Sequence, residues 1–149
     1  MQASFETPTG IVTITAQDGA ITRLVWGGEA AAETSPLAEA GQQITEYFGG
    51  TRTTFDLPLR VEGSDLQRAV CRAMQDIPFG ETRTYGEIAH DLGVSAQAVG
   101  QACGANPIPL IIPCHRVLGA NGLGGFSGGS GIGTKVWLLR HEGAAGLLI

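Results

Sequence analysis

The sequence predicts an α/β protein in which a small antiparallel sheet and one helix precede a mostly helical second half. Alternating strand-like segments are confined to the first 26 residues. Amphipathic helical segments begin near residue 35 and recur up to residue 143. A chain of 149 residues can bury a useful core, either as one compact unit or as two small lobes.

Three strands are predicted over residues 4–7, 11–16 and 20–26. Asp18-Gly19 is a strong signal for a two-residue hairpin between the second and third strands. Apolar residues alternate with threonines in the second strand, so one face of the sheet is expected to be buried and the other wetter.

A helix is predicted to begin at Ser35-Pro36, with the serine as its cap and the proline at its first position, and to stop at Gly49-Gly50. The irregular segment 51–63 follows, and we place a lobe boundary near it. The predicted lobes are therefore 1–63 and 64–149. Because no residue of the first lobe suggests chemistry, we interpret that lobe as a scaffold.

The second lobe has a serine or threonine where each of its helices is expected to begin. Thr84 and Glu87 also have the spacing of a capping box. The predicted helices begin after Ser64, Thr84, Ser95 and Thr134, and the last three end near His90, Cys103 and Gly143.

Two of these helices are short and flank a glycine turn, Leu92-Gly93-Val94, as in a helix-turn-helix, although plain helical hairpins are also common. The later helix carries the small residues Ala96, Ala98 and Gly100 and hardly any long basic side chain. Such a helix cannot contact many base edges, but it can approach a groove closely.

Residues 111–117, Ile-Ile-Pro-Cys-His-Arg-Val, are the most reactive stretch of the chain. The β-branched residues and the proline predict a short buried strand with Cys114 at its end. A cysteine with an ordinary pKa of about 8.5 needs a base before it attacks carbon. His115 is adjacent, and Glu142 is the candidate carboxylate that holds the base. Neighbouring strand residues point to opposite faces, so Cys114 and His115 meet only through a bend or a water.

The string from Pro113 to Arg116 resembles the active-site signature of the O6-alkylguanine-DNA alkyltransferases. The resemblance runs from about residue 65 to residue 143, whereas residues 1–63 match only in general layout. Several spaced motifs in the same order are not expected from chance. The other matching motifs are residues 78–85, Ala98-Val99-Gly100, Asn106-Pro107, Ser127-Gly128-Gly129 and residues 137–143.

The resemblance implies a ribonuclease H-like first lobe and a winged-helix-like second lobe with a helix-turn-helix. It also implies direct reversal of DNA damage, in which O6-alkylguanine, and also O4-alkylthymine, is rotated out of the duplex. The alkyl group, a methyl group above all, passes to Cys114 and inactivates the protein after a single turnover. The implied partner is double-stranded DNA, bound through the minor groove with little sequence specificity.

By the same resemblance, His115 deprotonates Cys114 through a water, Glu142 orients His115, and Tyr85 donates a proton toward guanine N3. Asn106 ties its turn to the DNA-binding helix and the active site. Asn106 can also be a plain turn residue that tolerates left-handed backbone, and its residue type allows both interpretations.

The resemblance also implies the residues that surround the substrate. The carbonyls of Cys114 and Val117 would receive the exocyclic amine, and the Ser127 amide would face O6. Phe126 and Gly128 belong to the glycine-rich segment 119–133, which we interpret as a pocket wall. A flexible linker is the alternative interpretation. A phosphate-binding loop is excluded, because no Gly-Lys-Ser/Thr sequence ends the segment. Lys135 either lies near this wall or is an exposed lysine at a helix start. The implied DNA-binding residues are Tyr85, Ser95, Ala96, Gln97, Ala98 and Gly100.

Three features depart from the resembled family. Gln97 stands where most members carry an arginine that replaces the extruded base, and Phe126 stands where they carry a tyrosine. The glycine-rich loop before Lys135 is also longer. These departures bear on base extrusion and on the range of alkyl groups, and they leave the basic reaction intact.

Composition limits the remaining possibilities. No apolar run approaches the 18 or so residues of a membrane span, and the amino terminus lacks the pattern of a signal peptide. Three cysteines without metal-like clustering indicate no disulfide framework, no structural zinc and a reducing cytoplasm. The reaction that the resemblance implies requires no metal, nucleotide or other cofactor, and we expect a monomer in solution. The net charge of −5 opposes simple electrostatic DNA binding, but residues 1–63 carry all of it and residues 64–149 are neutral.

Two other functions are compatible with the sequence. One is a non-catalytic lesion sensor of the alkyltransferase-like kind, in which the cysteine is replaced; Cys114 argues against it. The other is a Cys-His-Glu hydrolase of small acyl substrates, which would turn over repeatedly.

Overall fold

A computed structural model of the protein describes residues 1–28, 35–126, 128–129 and 131–144. Strands β1 (Gln2–Thr7), β2 (Gly10–Gln17) and β3 (Ala20–Trp26) form the predicted antiparallel meander, in the order β1-β2-β3. The sheet register aligns buried residues across neighbouring strands. The aligned pairs include Phe5 with Val12 and Ile14 with Leu24.

Helix α1 (Ser35–Phe48) covers the buried face of this sheet and packs on β1. The two elements approach closely at Gly41, where an added Cβ would collide with the Phe5 ring. The predicted start at Ser35 and the stop before Gly49 are both confirmed. The prediction that Ser35 caps the helix concerns a side chain outside the described part of the structure.

The second half contains helices α2 (Asp65–Gln75), α3 (Tyr85–Leu92), α4 (Ala96–Gly104) and α5 (Ile132–Glu142). The three caps predicted for the first three of these helices are confirmed. The Ser64 and Ser95 hydroxyls accept hydrogen bonds from the amides of Gln67 and Ala98, and Thr84 and Glu87 form the capping box. Gly93 and Gly143 end α3 and α5 in the left-handed conformation.

The predicted cap at Thr134 is wrong. Helix α5 begins two residues earlier, at Ile132, and Gly131 precedes it without a side-chain cap. Thr134 lies inside the first turn and is buried. The positive φ of Gly131, 72°, lets the chain enter the helix before it reaches the threonine.

The predicted strand before Cys114 is also wrong. Ile111 and Ile112 are buried, but they lie in an irregular segment that leads into a 3₁₀ turn, Cys114–Arg116. Only the next residues extend, and β5 (Val117–Leu118) pairs in parallel with β4 (Arg83–Thr84). Prolines at 109 and 113 lack the amide donors that a strand through this segment would need.

One hydrophobic core extends through both halves of the chain and includes Ile44 of α1, Met74 of α2 and Leu138 of α5. A backbone hydrogen bond of 2.9 Å from the Leu24 amide to the Pro107 carbonyl also joins the sheet to the segment after α4. Both halves therefore contact the region around Cys114. In the described residues, no helix combines the length and the apolar character needed to cross a membrane.

Candidate active site

Cys114 lies at the floor of a cleft of about 480 Å³, with only 8% of its surface exposed. It begins the 3₁₀ turn, so its side chain and those of the next two residues point in different directions. Small residues of α4 form one side of the cleft, and the glycine-rich segment forms another. The lining residues are Tyr85, Gly100, Cys103, Gly104, Cys114, Gly125 and Phe126.

The Cys114 thiol is protonated at neutral pH. Burial raises its pKa to about 11, although a hydrogen bond from the Asn106 side chain and the positive charge of Lys135 act in the opposite direction. Since a cysteine attacks carbon as the thiolate, Cys114 could act as a nucleophile only with a base that removes this proton.

His115 is completely buried directly behind the nucleophile. Its Nε2 atom lies 2.7 Å from Glu142 Oε2, and its Nδ1 atom has no hydrogen-bond partner among the described residues. Burial lowers the pKa of His115 and favours the neutral ring. If the Nε2 proton is donated to the carboxylate, Nδ1 carries the lone pair and can accept a proton.

Glu142 accepts four hydrogen bonds in the interior of the protein. Its Oε2 atom accepts from the Tyr47 hydroxyl at 2.6 Å, from His115, and from Arg116 Nη2 at 3.0 Å. Its Oε1 atom accepts from Arg116 Nε at 2.8 Å. Burial alone would raise the pKa of Glu142, but the bonds from His115 and Arg116 lower it to about 2, so the carboxylate is charged.

Acid should therefore destabilise the protein in two steps. Burial lowers the pKa of His115, so the free energy of unfolding should begin to fall below the ordinary pKa of 6.5, where only the unfolded chain gains a proton there. Glu142 adds a second loss, which starts below its ordinary value of 4.5 and continues toward about 2. Urea unfolding at a series of pH values measures both losses of stability, and a Glu142→Gln protein should lack the loss that comes from Glu142. A wild-type stability that stays constant from pH 6.5 to 4.5 would contradict the first.

Two residues of this site were missed by the sequence analysis, Arg116 and Tyr47. Arg116 is buried, and its Nη1 atom also donates to the Ile77 carbonyl at 2.6 Å. Its place beside the Cys-His pair could have indicated a role, because a buried guanidinium requires a carboxylate partner. No comparable signal existed for Tyr47, which belongs to the apolar stripe of α1.

Asn106 follows the end of α4, and its side chain makes two hydrogen bonds within the loop that leads to Cys114. Its side-chain oxygen accepts from the Ile108 amide at 3.0 Å, and its side-chain nitrogen donates to the Ile112 carbonyl at 2.9 Å. Asn106 is also a turn residue, because the bond from the Ile108 amide closes a turn two residues on. Its backbone is not left-handed, and the positive φ in this segment falls on the buried Leu110, at 75°. The asparagine thus holds together the loop that ends at Cys114.

Lys135 is completely buried beside the cleft, so the exposed alternative is wrong. Its Nζ atom donates to the Val117 carbonyl at 2.7 Å and to the Gly125 carbonyl at 3.1 Å. Burial lowers its pKa to about 8. The ammonium also lies 5.9 Å from the centre of the Tyr85 ring, so it links β5, the glycine-rich segment and the start of α3.

The glycine-rich segment forms a wall of the cleft through Phe126, whose ring meets Trp26 edge to face at 5.8 Å. Gly128 lies behind this wall, where an added Cβ would collide with Trp26, and it does not line the Cys114 cleft. The predicted role of Ser127 concerns a residue outside the described part of the chain.

Comparison with known proteins agrees with this arrangement. Residues 65–144 match the family described as "6-O-methylguanine DNA methyltransferase, DNA binding domain", and residues 1–61 match the ribonuclease-like domain of the same methyltransferases. The first match alone covers more than half of the chain. The chain belongs to the O6-alkylguanine-DNA alkyltransferase family.

Several alkyltransferase relatives align over nearly the whole chain. The methylated-DNA–protein-cysteine methyltransferase of Mycolicibacterium paratuberculosis is 44% identical over 92% of this chain and 88% of its own. The constitutive enzyme of the same name from Bacillus subtilis is 41% identical over 92% of both chains. The crystal structure of Mycobacterium tuberculosis OGT in complex with DNA superposes with a TM-score of 0.86, at 39% identity, over 95% of this chain and 92% of its own.

The helix of this alkyltransferase that was expected to contact DNA is α4. Its start is exposed at Ser95, Ala96 and Gln97, whereas Ala98 is half-buried and Gly100 lines the cleft. The inner face packs through other residues of the helix, Val99, Ala102 and Cys103. An exposed, nearly uncharged helix end therefore lies beside the mouth of the Cys114 cleft.

Proposed function

We propose that this protein repairs DNA by accepting the alkyl group of O6-alkylguanine, and by the same route that of O4-alkylthymine, on Cys114. The observation that carries the proposal is a nucleophilic thiol at the floor of a cleft, with a neutral imidazole and a charged carboxylate behind it. A cleft of about 480 Å³ falls within the range of small-molecule sites. Its mouth lies beside α4, so a base rotated out of a duplex could enter it.

The chemistry follows from the protonation states of the site. The Cys114 proton passes through one water to Nδ1 of His115, whose Nε2–H is held by Glu142. The thiolate attacks the alkyl carbon, so that a carbon–sulfur bond forms as the bond between carbon and O6 breaks. Tyr85 donates to N3 of the departing base, and burial raises its pKa, so that it retains its proton at neutral pH. The products are guanine and a thioether.

Recognition of the base would use the backbone near the nucleophile. The Cys114 carbonyl already accepts from the Val117 amide, and the Val117 carbonyl accepts from Lys135. A carbonyl oxygen has two lone pairs, so both retain a site for the exocyclic amine. The ring of Phe126 offers a stacking surface for the base, as the expected tyrosine would, but it has no hydroxyl.

DNA is the proposed macromolecular partner, held through the minor groove by Ser95, Ala96 and Gln97 at the start of α4 and by Tyr85 at the start of α3. Small side chains allow close approach, and the minor groove carries little sequence code. Half-buried Ala98 and Gly100 would then face the mouth of the cleft. Because residues 64–149 are electrically neutral overall, we expect a modest affinity with a modest salt dependence.

Replacing Gln97 by arginine should improve the repair of duplex DNA. Gln97 is exposed, and its side chain makes no hydrogen bond with any described residue. An arginine would fill the gap left by an extruded base and would add one phosphate contact, which steepens the salt dependence by about one unit in the log–log slope. The measurement compares single-turnover transfer from methylated duplex DNA and from free O6-benzylguanine.

The matched control is Gln101→Arg, which adds the same charge one turn further along α4. It should raise affinity for DNA without a selective gain in duplex repair. If Gln97→Arg gains nothing on duplex DNA, or gains equally on the free base, then Gln97 is not the extrusion residue.

We also propose that the protein works as a cytoplasmic monomer with lobes 1–63 and 64–149. The two family matches, over 1–61 and 65–144, support this division. A reducing compartment suits the mechanism, because a nucleophilic cysteine must remain unoxidised.

Stoichiometry tests the proposed function against a hydrolase. With excess substrate, an alkyl acceptor releases one equivalent of dealkylated product per protein and then stops. A Cys-His-Glu hydrolase would continue to form product after the first equivalent. A lesion sensor would bind the damaged DNA and release no dealkylated product at all.

A further inference from the structure

The first lobe takes part in the active site through Tyr47, which lies near the end of α1 and 95 positions before Glu142. Tyr47 has no exposed surface, and its hydroxyl donates to Glu142 Oε2 at 2.6 Å. The same oxygen atom lies 2.7 Å from His115 Nε2. Tyr47 of the first half therefore shares this oxygen with His115 and with Arg116 Nη2 of the second half.

Packing alone does not account for the hydroxyl group. The Tyr47 ring contacts the rings of Phe48, Phe55, Phe79 and His141, and a phenylalanine could make the same contacts. A buried hydroxyl is costly unless it has a partner, and here the partner is the charged group that holds the base. Burial raises the pKa of Tyr47, so it stays a donor across the working pH range.

The position of the Tyr47 hydroxyl is also fixed by contacts between the Tyr47 backbone and α5. His141 Nε2 lies 2.7 Å from the backbone carbonyl of Tyr47, and its ring stacks on Trp137 at 5.2 Å and 17°. Adjacent residues of α5, His141 and Glu142, thus bind the backbone and the side chain of the same tyrosine. The pair of contacts ties the end of α1 to the end of α5.

We propose that Tyr47 is a positioning residue for alkyl transfer, which tunes His115 by sharing the Glu142 oxygen that holds the imidazole. The inference rests on the proposed function and adds to it a specific residue of the first lobe. With the hydroxyl in place, less of the carboxylate charge is available to stabilise a protonated imidazole. As the pH falls, His115 therefore stays neutral longer than it would without the Tyr47 hydroxyl, and it can still accept the thiol proton.

The other charged and titratable groups around this network stay in place when the hydroxyl is removed. Arg116 from the 3₁₀ turn binds both oxygens of Glu142, Lys135 of α5 and Cys114 lie on the cleft side of His115, and His141 faces the Tyr47 ring. Each of them is the same in a Tyr47→Phe protein. A change in the titration of His115 can therefore be assigned to the lost hydrogen bond.

The test is the pH profile of single-turnover transfer from free O6-benzylguanine, which requires neither DNA binding nor base extrusion. In Tyr47→Phe, the acid limb of the profile should move to higher pH by roughly half a unit to one unit. At pH values on the acid limb, the rate of Tyr47→Phe should be about three- to tenfold below that of the wild type. On the alkaline side the two rates should be equal. The control is Phe55→Leu, which disturbs the same aromatic cluster without removing a donor.

Two outcomes would overturn the inference: an unchanged profile, or a rate reduced equally at every pH as in a protein whose packing alone is damaged. Titration of His115 by NMR in the two proteins gives a readout independent of activity. If the wild type fails to transfer alkyl groups, the proposed function fails, whereas the His115 titration still decides the role of Tyr47. If Tyr47→Phe does not fold, fluorotyrosine can be placed at position 47 instead. Because its hydroxyl is a stronger hydrogen-bond donor, the titration of His115 should move to lower pH. An unchanged titration would refute the inference.

Discussion

Incubation with DNA that contains O6-methylguanine is expected to add one methyl group to Cys114, in an amount equal to the amount of protein. Replacement of Cys114 by serine should abolish the transfer completely, because no other thiol combines a place in the cleft with a base behind it. Intact-mass spectrometry followed by peptide mapping measures both the stoichiometry and the modified residue. A thermal melt of the serine variant shows that the loss is chemical and not a failure to fold.

Cys103 is the most stringent control in this experiment, because it lines the same cleft as Cys114. Burial raises its pKa to about 12, and its sulfur contacts the Met74 sulfur at 3.6 Å, whereas the imidazole lies next to Cys114 in the chain. A Cys103→Ser protein should therefore accept the methyl group normally. A methyl group on Cys103 in the wild type, or product formation beyond one equivalent, would refute the mechanism.

Replacement of Glu142 by glutamine should damage both the reaction and the fold. The imidazole loses its negative partner, and one charge-assisted hydrogen bond at a working site is worth roughly 1.5–3 kcal/mol, or about ten- to a hundredfold in rate. The Arg116 guanidinium, which is buried, loses its counter-ion at the same time. Breaking a buried pair from one side typically costs about 3–5 kcal/mol of stability. Single-turnover kinetics and urea unfolding measure the two losses separately.

Two variants separate these effects. In Arg116→Met combined with Glu142→Gln, no unpaired cation remains, so stability should recover in part while the rate stays low. Glu46→Gln removes the partner of Arg52 in a partly exposed pair, which solvent screens, and should leave both the stability and the rate nearly unchanged. An undiminished rate in Glu142→Gln would remove this carboxylate from the mechanism and leave it only a structural partner of Arg116.

Features that depend on neighbouring residues could be predicted from the sequence. The caps at Ser64, Thr84 and Ser95 each involve a contact with a residue three positions away, and all three were predicted correctly. The cap at Thr134 failed because the conformation of Gly131, and not the threonine, sets the start of α5. The roles of Glu142 and Asn106 came from the family resemblance, and the structure brings both residues to the Cys114 turn.

The sequence predicted correctly that the segment before Cys114 is buried, but it predicted the wrong secondary structure for that segment. Ile111 and Ile112 are buried as expected, and an apolar run of this length is equally compatible with a strand or with an irregular core segment. The bend that a strand could not supply is the 3₁₀ turn at Cys114. That turn sends His115 inward toward Glu142 and leaves Cys114 facing the cleft.

The sequence by itself determined the order of the first three strands and of the helices, the family, and a thiol next to an imidazole, because these are written in short-range patterns and spaced motifs. Only the tertiary structure decided how the carboxylate is shared. Glu142 meets His115 across 27 positions and Tyr47 across 95, and it also binds Arg116. Contacts over such separations depend on how α1 and α5 pack around the Cys114 turn, and no local pattern encodes that packing. For this reason the first lobe, interpreted from sequence as a scaffold, proves to contribute a hydrogen bond to the centre of the site.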